Sequence, residues 1–295
     1  KGEIVMRRSS TLVLGTAAAV ALGLTVGNPA QAALLVSNNN NATSLANAIV
    51  GTGVTIVGTP TLFSHSAAQQ GTFTATPDIF ANAAMSSGVM LTTGDINWAP
   101  GPNIDDGSAL ITSWNPNQEN AQVPPVQRNL NPSLDHFDVN RLSFNFTVPA
   151  NTGGITVQYV FASEEYPEFV FEDFNDSFAF VVDGVNAALV PNSNSPVTID
   201  SINQFVNSAY YRDNDTNPNA INIEYDGLTH VLTANVFAAL NPNLSTHSMI
   251  FSIADVGDSF WDSAVFIRAD SFQVPEPTTL GVLACLGAMA LRRKR

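Results

Sequence analysis

The stretch Leu142-Ser143-Phe144-Asn145-Phe146-Thr147-Val148 alternates large apolar residues with polar ones at a period of two. Successive side chains of an extended chain point to opposite faces, so this stretch is a strand with one apolar face and one polar face. The same alternation recurs in Ile155/Val157/Tyr159/Phe161 and in Phe178/Phe180/Val182, each read as a strand with one buried face. Working outward, shorter strands are expected at residues 197–199, 221–225 and 230–237, at Met249/Phe251/Ile253 and at Val265/Ile267. Asp183-Gly184 and Asp226-Gly227 are of the type that closes two-residue hairpins. Short helices are expected at residues 43–50, where Leu45 and Ile49 lie one turn apart, and at 78–85. Residues 97–133, rich in Pro, Asn and Gln, read as a long exposed loop. Many short strands with few helices predict a mainly β chain, an antiparallel β-sandwich or jelly-roll-like domain over residues 33–273. A closed barrel is also compatible with the pattern.

The two ends have different compositions from the middle. From Met6, a plausible true start of translation, the chain runs through Arg7-Arg8, an apolar stretch over residues 11–26, and Ala30-Gln31-Ala32. A positive segment, an apolar segment and a small-residue Ala-x-Ala site in that order predict a secretory signal peptide over residues 1–32, cut before Ala33 by signal peptidase. At the other end Pro275-Glu276-Pro277 precedes an apolar segment over residues 278–291 and then Arg292-Arg293-Lys294-Arg295. The apolar segment is shorter than the roughly 20 residues that span a bilayer comfortably. Its basic end predicts a cytoplasmic terminus, with everything upstream outside the inner membrane.

Charge narrows the function further. Residues 33–274 contain 23 acidic residues but only Arg128, Arg141, Arg212 and Arg268 as bases, a formal charge of −19 with no lysine. Nucleic acid is excluded as a partner, because phosphate binding needs basic clusters. The one cysteine, Cys285, lies in the C-terminal apolar segment, so no disulfide or cysteine-metal site forms in the body. The sequence has no Gly-x-Ser-x-Gly, no His-Glu-x-x-His and no phosphate-cradling Gly-rich loop, and His65, His136, His230 and His247 are scattered singly.

Carboxylates are the abundant chemical resource. Glu164, Glu165, Glu168, Glu172, Asp173 and Asp176 follow the strand ending near Phe161, and Asp255, Asp258 and Asp262 form a second group beside Phe260 and Trp261. A third group, Asp213-Asn214-Asp215-Thr216-Asn217-Pro218-Asn219, places Asp213, Asp215, Asn217 and Asn219 at alternate positions, with Glu224 twelfth from Asp213. That spacing imitates an EF-hand loop but has Pro218 where the sharp turn needs glycine. Calcium, which takes hard oxygen ligands from irregular loops, is the cofactor these groups suggest, with Glu164, Glu165, Asp173, Asp176, Asp213, Asp215, Asn217, Asp255, Asp258 and Asp262 as candidate ligands. Asp and Asn making ordinary solvated turns is the competing explanation. A Glu/Asp pair from residues 164–176 hydrolysing an extracellular polysaccharide is a second reading, since a glycosidase needs two carboxyl groups across a bond. Phe260 and Trp261 fit core packing or a sugar-binding face, whereas Trp98 and Trp114 lie in the expected loop.

Two resemblances add to this. The Pro-Glu-Pro motif, short apolar segment and arginine-rich end resemble a PEP-CTERM sorting signal, which implies handling by an exosortase-type membrane protease. In the body, Gly88-Val89-Met90-Leu91-Thr92-Thr93-Gly94, Phe161-Ala162-Ser163-Glu164-Glu165-Tyr166-Pro167-Glu168-Phe169, Phe174-Asn175-Asp176-Ser177-Phe178-Ala179-Phe180 and the segment from Asp255 to Phe266 resemble the choice-of-anchor L domain. That resemblance implies a surface module without implying a reaction. The expectation is a non-catalytic, exported protein of the cell surface or extracellular matrix, transiently anchored in the inner membrane, that binds calcium and an external polymer.

Overall fold

Two antiparallel sheets face each other across the core in the computed structural model, which describes residues 33–104, 119–150, 152, 154–215 and 221–274. The expected signal peptide with Ala30 and Ala32, the Pro275-Glu276-Pro277 tail, Asn217 and Trp114 lie outside the described residues. No helix among the described residues is long and apolar enough to cross a membrane.

In chain order the strands are β1 (Leu34–Asn38), β2 (Thr55–Phe63), β3 (Gln70–Ala75), β4 (Ser87–Thr92), β5 (His136–Thr147), β6 (Thr156–Ser163), β7 (Ser177–Val182), β8 (Val185–Asn186), β9 (Tyr211–Asp213), β10 (Gly227–Thr229), β11 (Leu232–Asn235), β12 (His247–Val256) and β13 (Ser263–Arg268). One sheet has the order β1-β3-β4-β13-β6-β10-β9, with β11 following β10 along the same edge of β6; the other runs β2-β5-β12-β7-β8. Both sheets end in open edges, which excludes a closed barrel among the described residues. The edge strand β2 is interrupted by a register shift between Val57 and Thr61, where Gly58 (φ 74°) and Pro60 break the ladder. Such interruptions blunt an exposed edge against pairing with another chain.

The decisive alternation does what its period requires. Leu142, Phe144 and Phe146 of β5, Phe178, Phe180 and Val182 of β7 and Met249, Phe251 and Ile253 of β12 meet Val157, Tyr159 and Phe161 of β6 and Val265 and Ile267 of β13 in the central core. Helix α1 (Ala42–Ile49) adds Leu45, Ala46 and Ile49 to that core, and its first turn is capped by the Asn41 side chain accepting from Ser44 N–H.

Several elements differ from expectation. β4, β6 and β13 are buried on both faces over most of their length, because a second apolar layer covers the outer side of their sheet. That layer includes Phe73, Ile79, Phe80, Ile221, Ile223 and Tyr225. Residues 221–225 are therefore buried without forming a strand: the Asn214 side chain takes the place of a neighbour, donating to the Ile223 and Tyr225 carbonyls and accepting from Ile221 N–H. Residues 197–199 likewise make a single bridge, Ser177 to Thr198, rather than a ladder. The second helix, α2, spans only Pro77–Phe80 and stops where Ala81 turns left-handed, φ 50°. Asp183-Gly184 makes the expected β7–β8 turn with both residues at positive φ, but Gly227 of Asp226-Gly227 lies within β10. The expected exposed loop is only partly exposed beyond residue 118: Ala121, Pro125, Arg128, Asn129, Pro132 and Ser133 face solvent. Glu119, Val123 and Gln127 are buried, and α3 (Pro125–Arg128) is held to β7 by Gln127 Nε2 donating to the Ser177 carbonyl at 3.0 Å.

Candidate cation site

The inward stripes of four strands share a feature at one end of the sandwich. Continuing the inward parity of β5 back from Leu142 leads to Asn140 and Asp138; that of β12 forward from Ile253 leads to Asp255. In the same way β7 leads back from Phe178 to Asp176, and β6 leads forward from Phe161 through Ser163 to Glu165. Antiparallel pairing brings these ends together, since β5 and β7 begin where β12 and β6 finish. The apolar core is thus closed at this end by carboxylates, all of them buried.

The backbone is adjusted to aim them. β5 and β12 change register between Ile253 and Asp255, with Asp138 and Val139 opposite the single residue Ala254. This is a β-bulge, a device that re-aims a side chain. Asp138 adopts a left-handed φ of 47° there, a conformation in which Gly is the easier residue and Asp is tolerated. Asp262 enters from the other sheet, just before β13. A Cβ on Gly94 would stand 1.8 Å from Asp262 Oδ2, so the carboxylate approaches the backbone only because residue 94 is glycine.

Hydrogen bonds satisfy part of the cluster. Asp176 accepts from Val256 N–H at 2.9 Å and from the Ser263 hydroxyl at 2.7 Å. Glu119 accepts from Val139 N–H at 3.2 Å and pairs with His65. Glu164 accepts from Asp226 N–H at 3.2 Å, Asp226 from Asn103 Nδ2 at 2.7 Å, and Glu224 from Ile104 N–H at 3.3 Å. Asp138 and Asp255 are different: both oxygens of each buried carboxylate lack a hydrogen-bond partner. Glu165 Oε2 and the amide oxygen of Asn140 are also buried without a partner. The Thr93 hydroxyl approaches Asp255 and eases its charge slightly without reaching hydrogen-bond geometry.

The electrostatics follow from this burial. Desolvation, then the charges of Asp262 and Glu119, push the Asp138 pKa up to about 8. Desolvation carries Asp176 to about 8 despite its hydrogen bonds, and Glu165 to about 10 with help from Asp176 and Asp258. Asp255 and Glu164 are raised well above the usual carboxylate range, again chiefly by burial. The body's arginines are engaged elsewhere: Arg128 with Asn120 O, Arg141 with Gln122 O, Arg212 with Ile79 O and Arg268 with Gln158 Oε1. A buried carboxylate must be neutralised by a proton, a base or a metal ion. The donors are hard oxygens, the type calcium takes. Among the described residues, no three His, Cys, Asp or Glu side chains are already gathered closely enough to grip one ion.

A family model for the choice-of-anchor L domain matches residues 30–273. The chain belongs to the choice-of-anchor L family. No curated protein and no solved structure matches it. Membership of the choice-of-anchor L family marks the chain as a surface-associated or extracellular module, and this is not a known enzyme family.

Of the expected ligands in this choice-of-anchor L domain, Glu164, Glu165, Asp176, Asp255 and Asp262 are buried in one cluster, although the sequence separated them into two groups. Asp258 lies at its rim, half-buried, accepting from Phe260 N–H at 2.9 Å. Asp173 is exposed, and its main-chain carbonyl packs so close to Gly257 that a Cβ there would stand 2.4 Å from it. Asp213 is exposed and accepts from Asp215 N–H at 3.2 Å, a turn-forming bond. Glu224 accepts from Ile104 N–H and stands close enough to Glu164 to help raise its pKa. Sequence reasoning missed Glu119, Asp138, Glu224 as a buried acid, and Asp226. The inward parity of β5 was the signal that could have found Asp138.

Proposed function

We propose that the chain is an exported, non-catalytic surface module whose sandwich is completed by calcium held among Asp138, Asp255, Asp262 and their neighbours, and which engages an external polymer. The observation that carries this reading is Asp138, whose two buried carboxylate oxygens lack donors beside other buried acids. A carboxylate aimed inward at a bulge is costly to keep unless something neutralises it. Burial of these acids also favours a non-catalytic role, because a glycosidase needs two carboxyl groups that a polymer bond can reach. Exposed aromatics, including Trp98 and Phe260, favour polymer contact.

Isothermal titration of the chelator-stripped chain tests the metal. Saturable calcium binding with Kd on the order of 10⁻⁴ to 10⁻³ M is expected, as for extracellular modules. Heats no larger than those of magnesium at every concentration would contradict it. Export and sorting are expected to yield surface material that begins at Ala33 and lacks residues 292–295. Intact-mass measurement decides this, and most molecules carrying the basic end would refute sorting.

A further inference from the structure

The segment that supplies Asp176 to the acid cluster faces a second feature on its other side. Asp176's main-chain carbonyl accepts from Ile199 N–H, and the chain beyond it forms an open groove of about 330 Å³ lined by Asn175, Thr198, Asp200, Ser201, Val206 and Asn207. Beside the groove stand Phe171 and Phe205, 56% and 71% exposed. Their rings are stacked, 24° apart in plane with centroids 6.2 Å apart, and each still leaves apolar surface exposed. Exposed aromatic area of this kind on a secreted surface marks an interaction site.

The groove is built rather than incidental. Phe171 N–H donates to Asp200 Oδ1 at 2.6 Å, and Asn203 Oδ1 accepts from Phe205 and Val206 N–H at 2.9 and 2.8 Å. Asp200 N–H donates to Asn175 Oδ1 at 3.1 Å, and Asn207 Nδ2 to the Ser201 carbonyl at 2.7 Å. These bonds fix the ledge and the groove floor before any ligand arrives, which lowers the entropic cost of binding. They leave Asp200 Oδ2 and Asn207 Oδ1 as acceptors at the groove. Flat apolar rings beside hydrogen-bond acceptors match a pyranose, which has a C–H face and a rim of hydroxyl donors. No basic residue lines the groove, and the body carries a formal charge of −19, so a uronate or sulfated polymer would be repelled.

We infer that this groove and the Phe171–Phe205 ledge bind an uncharged polysaccharide. The inference rests on the reading of the chain as a polymer-binding surface module and gives that reading a site. The test is affinity electrophoresis of the full chain in gels containing hydroxyethylcellulose, a soluble β-1,3-glucan, galactomannan or alginate, with calcium present. At least one neutral polymer should retard the chain. Phe205→Ala should weaken that binding about tenfold or more, the loss expected when a Phe face is no longer covered, with an unchanged thermal midpoint. Asp200→Asn should weaken it as well. Retardation by no neutral polymer, by alginate alone, or equally with Phe205→Ala would overturn the site. Calcium calorimetry on Phe205→Ala separates the two readings: normal calcium binding with lost retardation supports the groove, whereas retardation without any calcium binding would sink only the metal.

Discussion

Asp138 combines a left-handed backbone, full burial and two carboxylate oxygens without donors. Replacing it with Asn removes the charge and keeps a residue that tolerates this conformation. Without calcium at pH 8, Asp138→Asn is expected to stabilise the fold by about 1–3 kcal/mol, the scale of an unsatisfied buried polar group. With calcium the order should reverse, because the variant has lost a ligand. Paired thermal scans check this, and a variant less stable in both conditions would make Asp138 a structural residue only. Gly94→Ala acts on the same site from the other sheet. Its Cβ would displace the Asp262 carboxylate, so it should at least halve the calcium-induced rise in thermal midpoint. Much of this was legible: the parity that places Phe144 and Leu142 inside also places Asn140 and Asp138 there. What was not legible is the bulge, which exists only once β5 pairs with β12, and the approach of Asp262 over a glycine 168 positions earlier in the chain.

At the scale of elements, the alternating strands β5, β6, β7, β12 and β13 were readable because large apolar residues recur at every second position. β1 to β3 were not, because Thr and Gly dilute the pattern, as in Thr55–Phe63, where Gly58 and Pro60 interrupt pairing. Asp183-Gly184 behaved as a turn: no atom lies within 4 Å of a Cβ placed on Gly184, and the Asp183 carboxylate is held by Asn241 and Ser248 N–H. Gly227 is glycine for packing instead, with the Tyr166 ring 2.5 Å from where its Cβ would be. Gly227→Ala should therefore destabilise by about 1–3 kcal/mol through overpacking, weakening the 2.6 Å bond from Tyr166 hydroxyl to the Ile202 carbonyl. Phe180, in edge contact with Tyr159, Phe178 and Phe251, should cost about 3–5 kcal/mol on truncation to Ala. Denaturant melts would check both, and a loss below about 1 kcal/mol for Phe180→Ala would contradict the assigned core.

For the whole molecule, the raised carboxylates set the response to pH. Asp138 and Asp176 move from 3.8 to about 8 on folding, so between those values the native chain binds protons that the unfolded chain has released. Stability without divalent ions must then fall as pH rises through this window and gain as pH drops towards 4. Calcium competes with those protons for the same oxygens, so its contribution should grow as pH rises, and the fall should flatten in millimolar calcium. A steep fall unchanged by calcium would indicate carboxylates neutralised by protons alone. The central claim is tested most directly by thermal midpoints at pH 7.5 in calcium, magnesium and sodium chlorides at matched ionic strength, where general screening is equal. With free calcium roughly a hundredfold above Kd, binding stabilises the fold by about 2.7 kcal/mol, which for a body of this size raises the midpoint by about 5–10 °C. The account predicts that rise in calcium alone, diminished by Asp138→Asn; equal midpoints in all three salts would contradict it.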